Sequence, residues 1–361
     1  MNKKTFYIHI GTWKTGSSTI QYNLNRLKKD LEKEGIVYLS KENKMVINDH
    51  IIGYFKKLDH DYIEKSKEKL TAIIERFKNK PDINSFVASA EQFSGDPFIG
   101  FKNSDIVARS IYEIVKDLNF DVKIIIYLRR QDDFFESLYT QSIYLGGSDS
   151  FNEFMQKFDH THFNWSDLIE SYSELFGTEN IIVRRYHKKF LPEDDSLVQD
   201  FGKIINSKSL YNFKGSISRN KGFTRDALEI MRITNKHFDK EQRFQLRKLF
   251  QNSNTKEPFE NYSYFMTDMK ASFLSNYEKS NREVVKKYLK IPENNLFPEI
   301  DSTLSHKVYD GLNTESLAIN FCKIILYLKS ENESLIENKV SKIAKNNSVF
   351  YRIINFLKRK I

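Results

Sequence analysis

The sequence predicts an α/β fold: a central, mainly parallel sheet flanked by helices, followed by a helical C-terminal region. Three observations predict it. Short apolar runs that read as buried strands alternate with helical patterns as far as residue 186. Beyond about residue 195 the pattern is helical only. The 361-residue chain is 40% hydrophobic and 14% aromatic, enough to bury a large core and to exclude global disorder.

Taken in order, TFYIHI at 5–10 reads as a buried strand that ends at Gly11. A helix starts within KTGSST, where Ile20, Leu24, Leu27 and Leu31 make one buried stripe, and it ends at Gly35. IVYLS at 36–40 is a second short strand, 61–79 a charged helix, and INSFVASAEQF at 83–93 a strand with its exit loop. A helix over 104–118 leads to DVKIIIYLRR at 121–130, the clearest buried strand. Helices follow over 131–145, 151–158 and 165–176, the last stopped by Gly177, and NIIVRRY at 180–186 is the final strand. Strands joined through helices pair in parallel, and such sheets hold their ligands beyond the carboxyl ends of the strands. Thr224 is placed to cap RDALEIMRITNKHF, and further helices are expected over 240–251, 264–290 and 314–361. These patterns divide the chain into an α/β core at 1–235 and a helical extension at 236–361 packed on it.

Lys and Arg total 57 against 48 Asp and Glu, a net charge of +9. The excess suits an anionic partner, or else a lysine-rich solvated surface. Cys322 is the only cysteine, which excludes an intramolecular disulfide and a cysteine-rich metal site and fits a reducing compartment. MNKKTFYIHIG passes almost at once into a strand without the apolar segment of a signal peptide. No stretch approaches the roughly 18 apolar residues of a membrane span. The expectation is a soluble, cytoplasmic protein.

The segment FYIHIGTWKTGSSTIQ, 6–21, reads as an anion-binding loop between a strand and a helix N-terminus. Gly11 and Gly16 allow close backbone approach, and Lys14 adds a full charge. Thr15 lies between them, and Ser17, Ser18 and Thr19 can donate to phosphate oxygens, although Thr19 could instead bond within the helix. The lysine does not follow the second glycine directly, as it does in a Walker A loop, and no acidic magnesium-holding strand is evident. A small-molecule kinase is therefore a poor match. A second segment, IIIYLRRQDDFFESLYTQ at 124–141, places Arg129 at the end of a buried strand and Ser137 eight residues later on the next helix. That pair can grip a second phosphate, or Arg129 can pair with Asp132 or Asp133 instead.

Together these segments resemble the two signatures of sulfotransferases that use 3'-phosphoadenosine 5'-phosphosulfate (PAPS). The IHIGTWKTGSSTIQ context is most similar to bacterial carbohydrate-type members. The resemblance covers about residues 5–235 and continues weakly through FLSNYEKSNREVVKKYL at 273–289. It implies a P-loop NTPase-like sulfotransferase fold, PAPS as donor, adenosine 3',5'-bisphosphate as product, and no metal. Lys14, Thr15, Gly16, Ser17, Ser18 and Thr19 match the loop that cradles the 5'-phosphosulfate, while Arg129 and Ser137 match the 3'-phosphate pair at the family spacing. The family often has Asp and Pro after that arginine, where this chain has Arg130 and Gln131, so Arg130 competes for the phosphate; Arg129 is preferred because only it keeps the eight-residue offset to Ser137.

Lys14 is then placed to stabilise charge on the leaving oxygen. Glu91, in SAEQF, is the first choice of base for the acceptor hydroxyl and His9 the second, with a structural role in the strand as its other reading. His60, His160, His162 and His187 have no partner motif. Trp13 stacks on a ligand or simply packs. Arg219 and Lys221, in RNKGF, either close over the 3'-phosphate or form a basic turn before the Thr224 cap. The expected acceptor is a bacterial glycan of capsule, lipopolysaccharide or exopolysaccharide, acidic or lipid-linked, with the helical extension contributing to its binding. No aromatic–basic RNA motif or zinc pattern points to nucleic acid. The last segment, NNSVFYRIINFLKRKI at 346–361, is a basic amphipathic pattern that either packs on the preceding helices or rests on the inner face of an anionic membrane.

Overall fold

The computed structural model describes residues 3–39, 60–77, 79–192, 196–214, 224–253, 262–299, 307–309 and 311–346. The basic turn carrying Arg219 and Lys221, and residues 347–361, lie outside them. Five strands form where the apolar runs predict: β1 (Thr5–His9), β2 (Ile36–Tyr38), β3 (Ser85–Ser89), β4 (Asp121–Leu128) and β5 (Ile181–Arg185). They make one all-parallel sheet in the order β2–β3–β1–β4–β5. The chain leaves central β1 toward one side and later crosses to the other, so a topological switch point lies beyond the carboxyl end of β1.

Register decides what reaches that point. Thr5 is opposite both Ser85 and Asp121, and His9 is opposite Ser89 and Ile125. β1 and β3 therefore end level, while β4 continues for three more residues and delivers Arg129 alongside the loop that follows β1.

Helices α1 (Ser17–Arg26) and α2 (Lys28–Lys33) lead to β2, and α3 (His60–Glu75) and α4 (Ser104–Val115) lie between β2 and β4. After β4 come α5 (Gln131–Tyr144), α6 (Phe151–Lys157) and α7 (Trp165–Phe176), and after β5 come α8 (Leu197–Ile204) and α9 (Lys208–Tyr211). One face of the sheet buries Val87, Ile125 and Tyr127 against Ile20 and Leu24 of α1 and Phe201 of α8. α4 and α7 pack on each other, and α7 flanks the sheet along β4 and β5.

Two expected helices are interrupted. The stripe from Ile20 to Leu31 breaks at Leu27, which ends α1 and starts α2 at φ −96°, ψ 12°. The reset packs Leu31, fully buried, beside Ile36 and Tyr38. The helix expected over 264–290 is α12 (Thr267–Ser275) and α13 (Glu278–Val284), followed by a π turn at Val285–Leu289. Tyr277 separates the two. Its ring packs on Phe163 and Phe273 and its hydroxyl meets His160 Nδ1 at 2.9 Å, so aromatic packing overrides the helical period.

Two compact units are interleaved along the chain. The described residues within 1–139, 151–219 and 264–305 form the first, which holds the five-stranded sheet. Those within 140–150, 220–263 and 306–361 form the second, with α10 (Arg225–Thr234, capped by Thr224 Oγ1), α11 (Lys240–Ser253), a two-strand pair of β6 (Tyr262–Ser263) and β7 (Lys307–Val308), and α14 (Thr314–Asn346). No helix among the described residues is long and apolar enough to cross a membrane.

Candidate functional site

The loop at 11–16 begins as an extension of β1. Tyr127 N–H donates to Gly11 O at 2.7 Å, and Tyr127 O accepts from Thr12 N–H at 2.9 Å and Thr12 Oγ1 at 3.1 Å. These bonds fix the loop to β4. Glycine is required at its two ends. Gly11 has φ +102°, and a Cβ there would stand 3.1 Å from the Cα of Glu91. Gly16 has φ +81°, and a Cβ would stand 2.5 Å from Leu197 Cδ2. Lys14 also takes a left-handed conformation, φ 61°, which a non-glycine residue adopts only when its surroundings impose it.

The loop's hydroxyls divide into two sets. Thr15 Oγ1 and Ser17 Oγ both donate to Thr12 O, at 2.6 and 3.3 Å, so these buried side chains shape the turn. Ser18 is exposed and Thr19 half-buried, and neither hydroxyl has a hydrogen-bond partner among the described residues. Gly16 is the N-cap of α1 and no side chain caps the helix. The first-turn N–H groups of Ser17 and Ser18 therefore lack the intrahelical partner that later turns enjoy, and the positive end of the helix dipole faces the same place. This is an anion-binding geometry.

Arg129 closes the loop from β4: its Nη1 donates to Lys14 O at 3.1 Å, and its own carbonyl accepts from Trp165 Nε1 at 3.0 Å. The two sequence segments, 115 residues apart, meet here. Arg130 is committed elsewhere. Its Nε and Nη2 fork onto Asp132 at 2.7 and 2.9 Å, and Lys270 Nζ holds the same carboxylate at 2.8 Å. Asp132 is completely buried. Burial alone would raise its carboxyl, but Arg130 and Lys270 hold it below the usual range. Next to it, buried Gln131 exchanges two amide hydrogen bonds with Asn281. Ser137 lies two turns into α5, half-buried, and its hydroxyl has no partner among the described residues.

Glu91 starts a 3-10 turn at Glu91–Ser94 after β3, half-buried, with its backbone against Gly11. The exit loop is held by Ser94 Oγ on Glu91 O, Trp13 Nε1 on Gly95 O at 3.0 Å, and Tyr172 hydroxyl on Phe93 O. The bond to Gly95 gives Trp13 a packing partner within the protein.

His9 sits behind the loop with no solvent exposure. Its Nδ1 meets Ser89 Oγ at 2.8 Å, and its ring makes edge contacts with Tyr127 and Phe201. Burial pushes its pKa down to about 3, opposed by the Gly11 backbone. A ring so placed is neutral and a poor proton acceptor at neutral pH. Because the folded-state value lies below the ordinary 6.5, its stabilising share is complete above pH 6.5 and disappears as pH falls toward 3. Chemical denaturation across that window should show stability declining with acid, and His9→Asn should flatten the slope; an unchanged slope would show that His9 does not set it.

Sequence reading missed two contributors. Tyr186 follows β5, and its ring lies 3.5 Å from where a Cβ on Gly16 would be and 6.0 Å from the Arg129 guanidinium carbon. Asp200 of α8, buried, accepts from Tyr127 hydroxyl at 2.7 Å and from Arg184 Nε at 2.9 Å, bracing the strand that holds the loop. Tyr186 carried no signal beyond its place after a strand, and Asp200 none at all.

No family model matches the chain. An uncharacterized protein of Archaeoglobus fulgidus is 25% identical over 181 residues, 49% of this chain and 49% of its own length. The chain thus spans about half the length of that relative. Among solved structures it is similar to a sulfotransferase from Alicyclobacillus acidocaldarius, with a TM-score of 0.36 and 15% identity over 68% of this chain and 100% of that one. It is also similar to a retinol dehydratase in complex with androsterone and the inactive cofactor PAP, with a TM-score of 0.26 and 13% identity over 70% of this chain and 81% of that one.

Proposed function

We propose that the chain transfers a sulfuryl group from PAPS to a hydroxyl of an acceptor, and that the acceptor is a bacterial glycan. The observation that carries this reading is the Arg129–Lys14 hydrogen bond, which joins two anion-binding segments beyond the carboxyl ends of β1 and β4. The residues present suit such a donor: the uncapped N-terminus of α1, the uncommitted hydroxyls of Ser18 and Thr19, and that of Ser137 all offer donors to anions. When bound, PAPS supplies an activated sulfuryl group on a phosphate leaving group.

In this reading the loop N–H groups and Ser18 and Thr19 hold the 5'-phosphosulfate, while Thr15 and Ser17 keep the loop in shape. Arg129 and Ser137 take the 3'-phosphate, and Arg219 and Lys221 close over it. Lys14 stabilises the charge that develops on the bridging oxygen, and Glu91 accepts the proton of the acceptor hydroxyl. The net charge of +9 suits an acidic glycan, and a lipid-linked one would bring the enzyme to the inner face of the membrane.

Ser137→Ala should weaken adenosine 3',5'-bisphosphate binding about tenfold while changing turnover little, because the 3'-phosphate does not react. Glu91→Gln keeps the shape and removes the base; donor binding should persist and turnover fall by roughly 100-fold or more. Steady-state kinetics with calorimetry separate the two. The reading itself is tested by thermal shift: stabilisation by adenosine 3',5'-bisphosphate supports it, and stabilisation by magnesium-ATP alone would assign the site to a kinase instead. Sulfate transfer to a panel of glycans tests the acceptor.

A further inference from the structure

We infer that α14 is a dimerisation helix, pairing in parallel and in register with α14 of a second copy of this chain. At 33 residues it is about 50 Å long, whereas the next longest helix among the described residues, α3, has 16. One stripe is already used within its own unit: α14 packs on α10 and α11, Leu317, Ile324 and Tyr327 are half-buried, and Asn252 Nδ2 donates to Tyr327 hydroxyl at 3.3 Å. A second stripe is exposed. Ala318, Phe321, Ile325, Leu328, Asn332 and Leu335 recur at spacings of 3, 4, 3, 4 and 3, the seam of a heptad repeat with Ala318, Ile325 and Asn332 at a and the others at d. The four large apolar members expose 51–62% of their surface.

The seam specifies its occupant. A strict a/d repeat needs a second helix of the same period, and no other helix among the described residues has the length to supply it. Ile325 at a with Leu328 and Leu335 at d favours two strands, and one Asn at a, Asn332, meets its own copy only when the helices run parallel and in register. Leu326 and Ile336, also more than half exposed, widen the apolar face. The exposed apolar side chains present on the order of 400 Å² per chain. With interfaces roughly 60% apolar, that matches a contact approaching the standard size of about 800 Å² per partner. Glu331 and Glu333 flank Asn332, which disfavours an anionic bilayer as the occupant of this stripe.

Sedimentation equilibrium of the full chain should give a dimer at micromolar concentration. Leu328→Glu should give a monomer with unchanged far-UV circular dichroism. Asn332→Lys, at a position already polar and exposed, should weaken dimerisation at least about tenfold and guards against misfolding of the first variant. In a Cys322→Ser background, Leu328→Cys should form an intermolecular disulfide on oxidation, as parallel in-register pairing requires. A monomeric wild type at high micromolar concentration overturns the proposal, as does a dimer that survives both charge substitutions or a dimer that gives no crosslink. A monomer that co-sediments with anionic vesicles, and loses that binding in Leu328→Glu, would overturn it in favour of a lipid surface.

Discussion

Replacing Lys14 by alanine should lower turnover by roughly 100- to 1,000-fold while leaving affinity for adenosine 3',5'-bisphosphate within a few-fold of wild type. Two features support this asymmetry. The loop is held by bonds that alanine at 14 leaves in place: those of Gly11 and Thr12 to Tyr127, and those of Thr15 and Ser17 to Thr12 O. The anchor that Arg129 uses is the backbone carbonyl of Lys14, which alanine retains. Ground-state binding should therefore survive, and the loss should fall on the charge that builds as the donor bond breaks. Rapid-quench kinetics with sulfur-labelled PAPS would measure it. Equal losses in affinity and rate would instead make Lys14 a general binding group.

Replacing Asp132 by alanine should destabilise the fold by about 3–5 kcal/mol, the largest stability effect expected of a single side chain near the site. The change strands Lys270, 8% exposed, and leaves Arg130, 15% exposed, with only the longer Asp133 pair at 3.7 Å in place of its fork on this carboxylate. It should also release Arg130, next to the arginine assigned to the 3'-phosphate. The pH dependence has a definite sign. The folded carboxyl lies below its ordinary 3.8, so the stabilisation is complete well above that value and is lost as pH falls through it toward the folded pKa. Denaturant titrations of wild type and Asp132→Ala should differ most at neutral pH and converge in strong acid. A neutral-pH difference below about 1 kcal/mol would show that Asp132, Arg130 and Lys270 do not brace the fold.

The strands, the loop and Arg129 were legible because each rests on local pattern: an apolar run, a glycine at its end, or a cation at the carboxyl end of a buried strand. What remained illegible depends on contacts far apart in sequence. In RRQDD only the eight-residue offset to Ser137 favoured Arg129 over Arg130. The commitment of Arg130 to Asp132, a carboxylate that Lys270 on a distant helix also holds, could not be read there. The serines and threonines of KTGSST gave residue identity but not direction, so the inward turn of Thr15 and Ser17 could not be read. The break at Leu27 and the one at Tyr277 follow from packing that helical periodicity does not encode. Asp200 serves the loop only through Tyr127, at a separation of 73 residues.

If the two segments joined by the Arg129–Lys14 bond form one site for a nucleotide carrying phosphates at both 3' and 5' positions, such a nucleotide should outbind its 5'-monophosphate counterpart. Calorimetric titration of the full chain with adenosine 3',5'-bisphosphate and with adenosine 5'-monophosphate, without magnesium, measures this. The bisphosphate should bind at least about tenfold more tightly, and Ser137→Ala should remove most of the difference. Equal affinity for the two nucleotides, or a difference untouched in Ser137→Ala and Arg129→Ala alike, would contradict a single site.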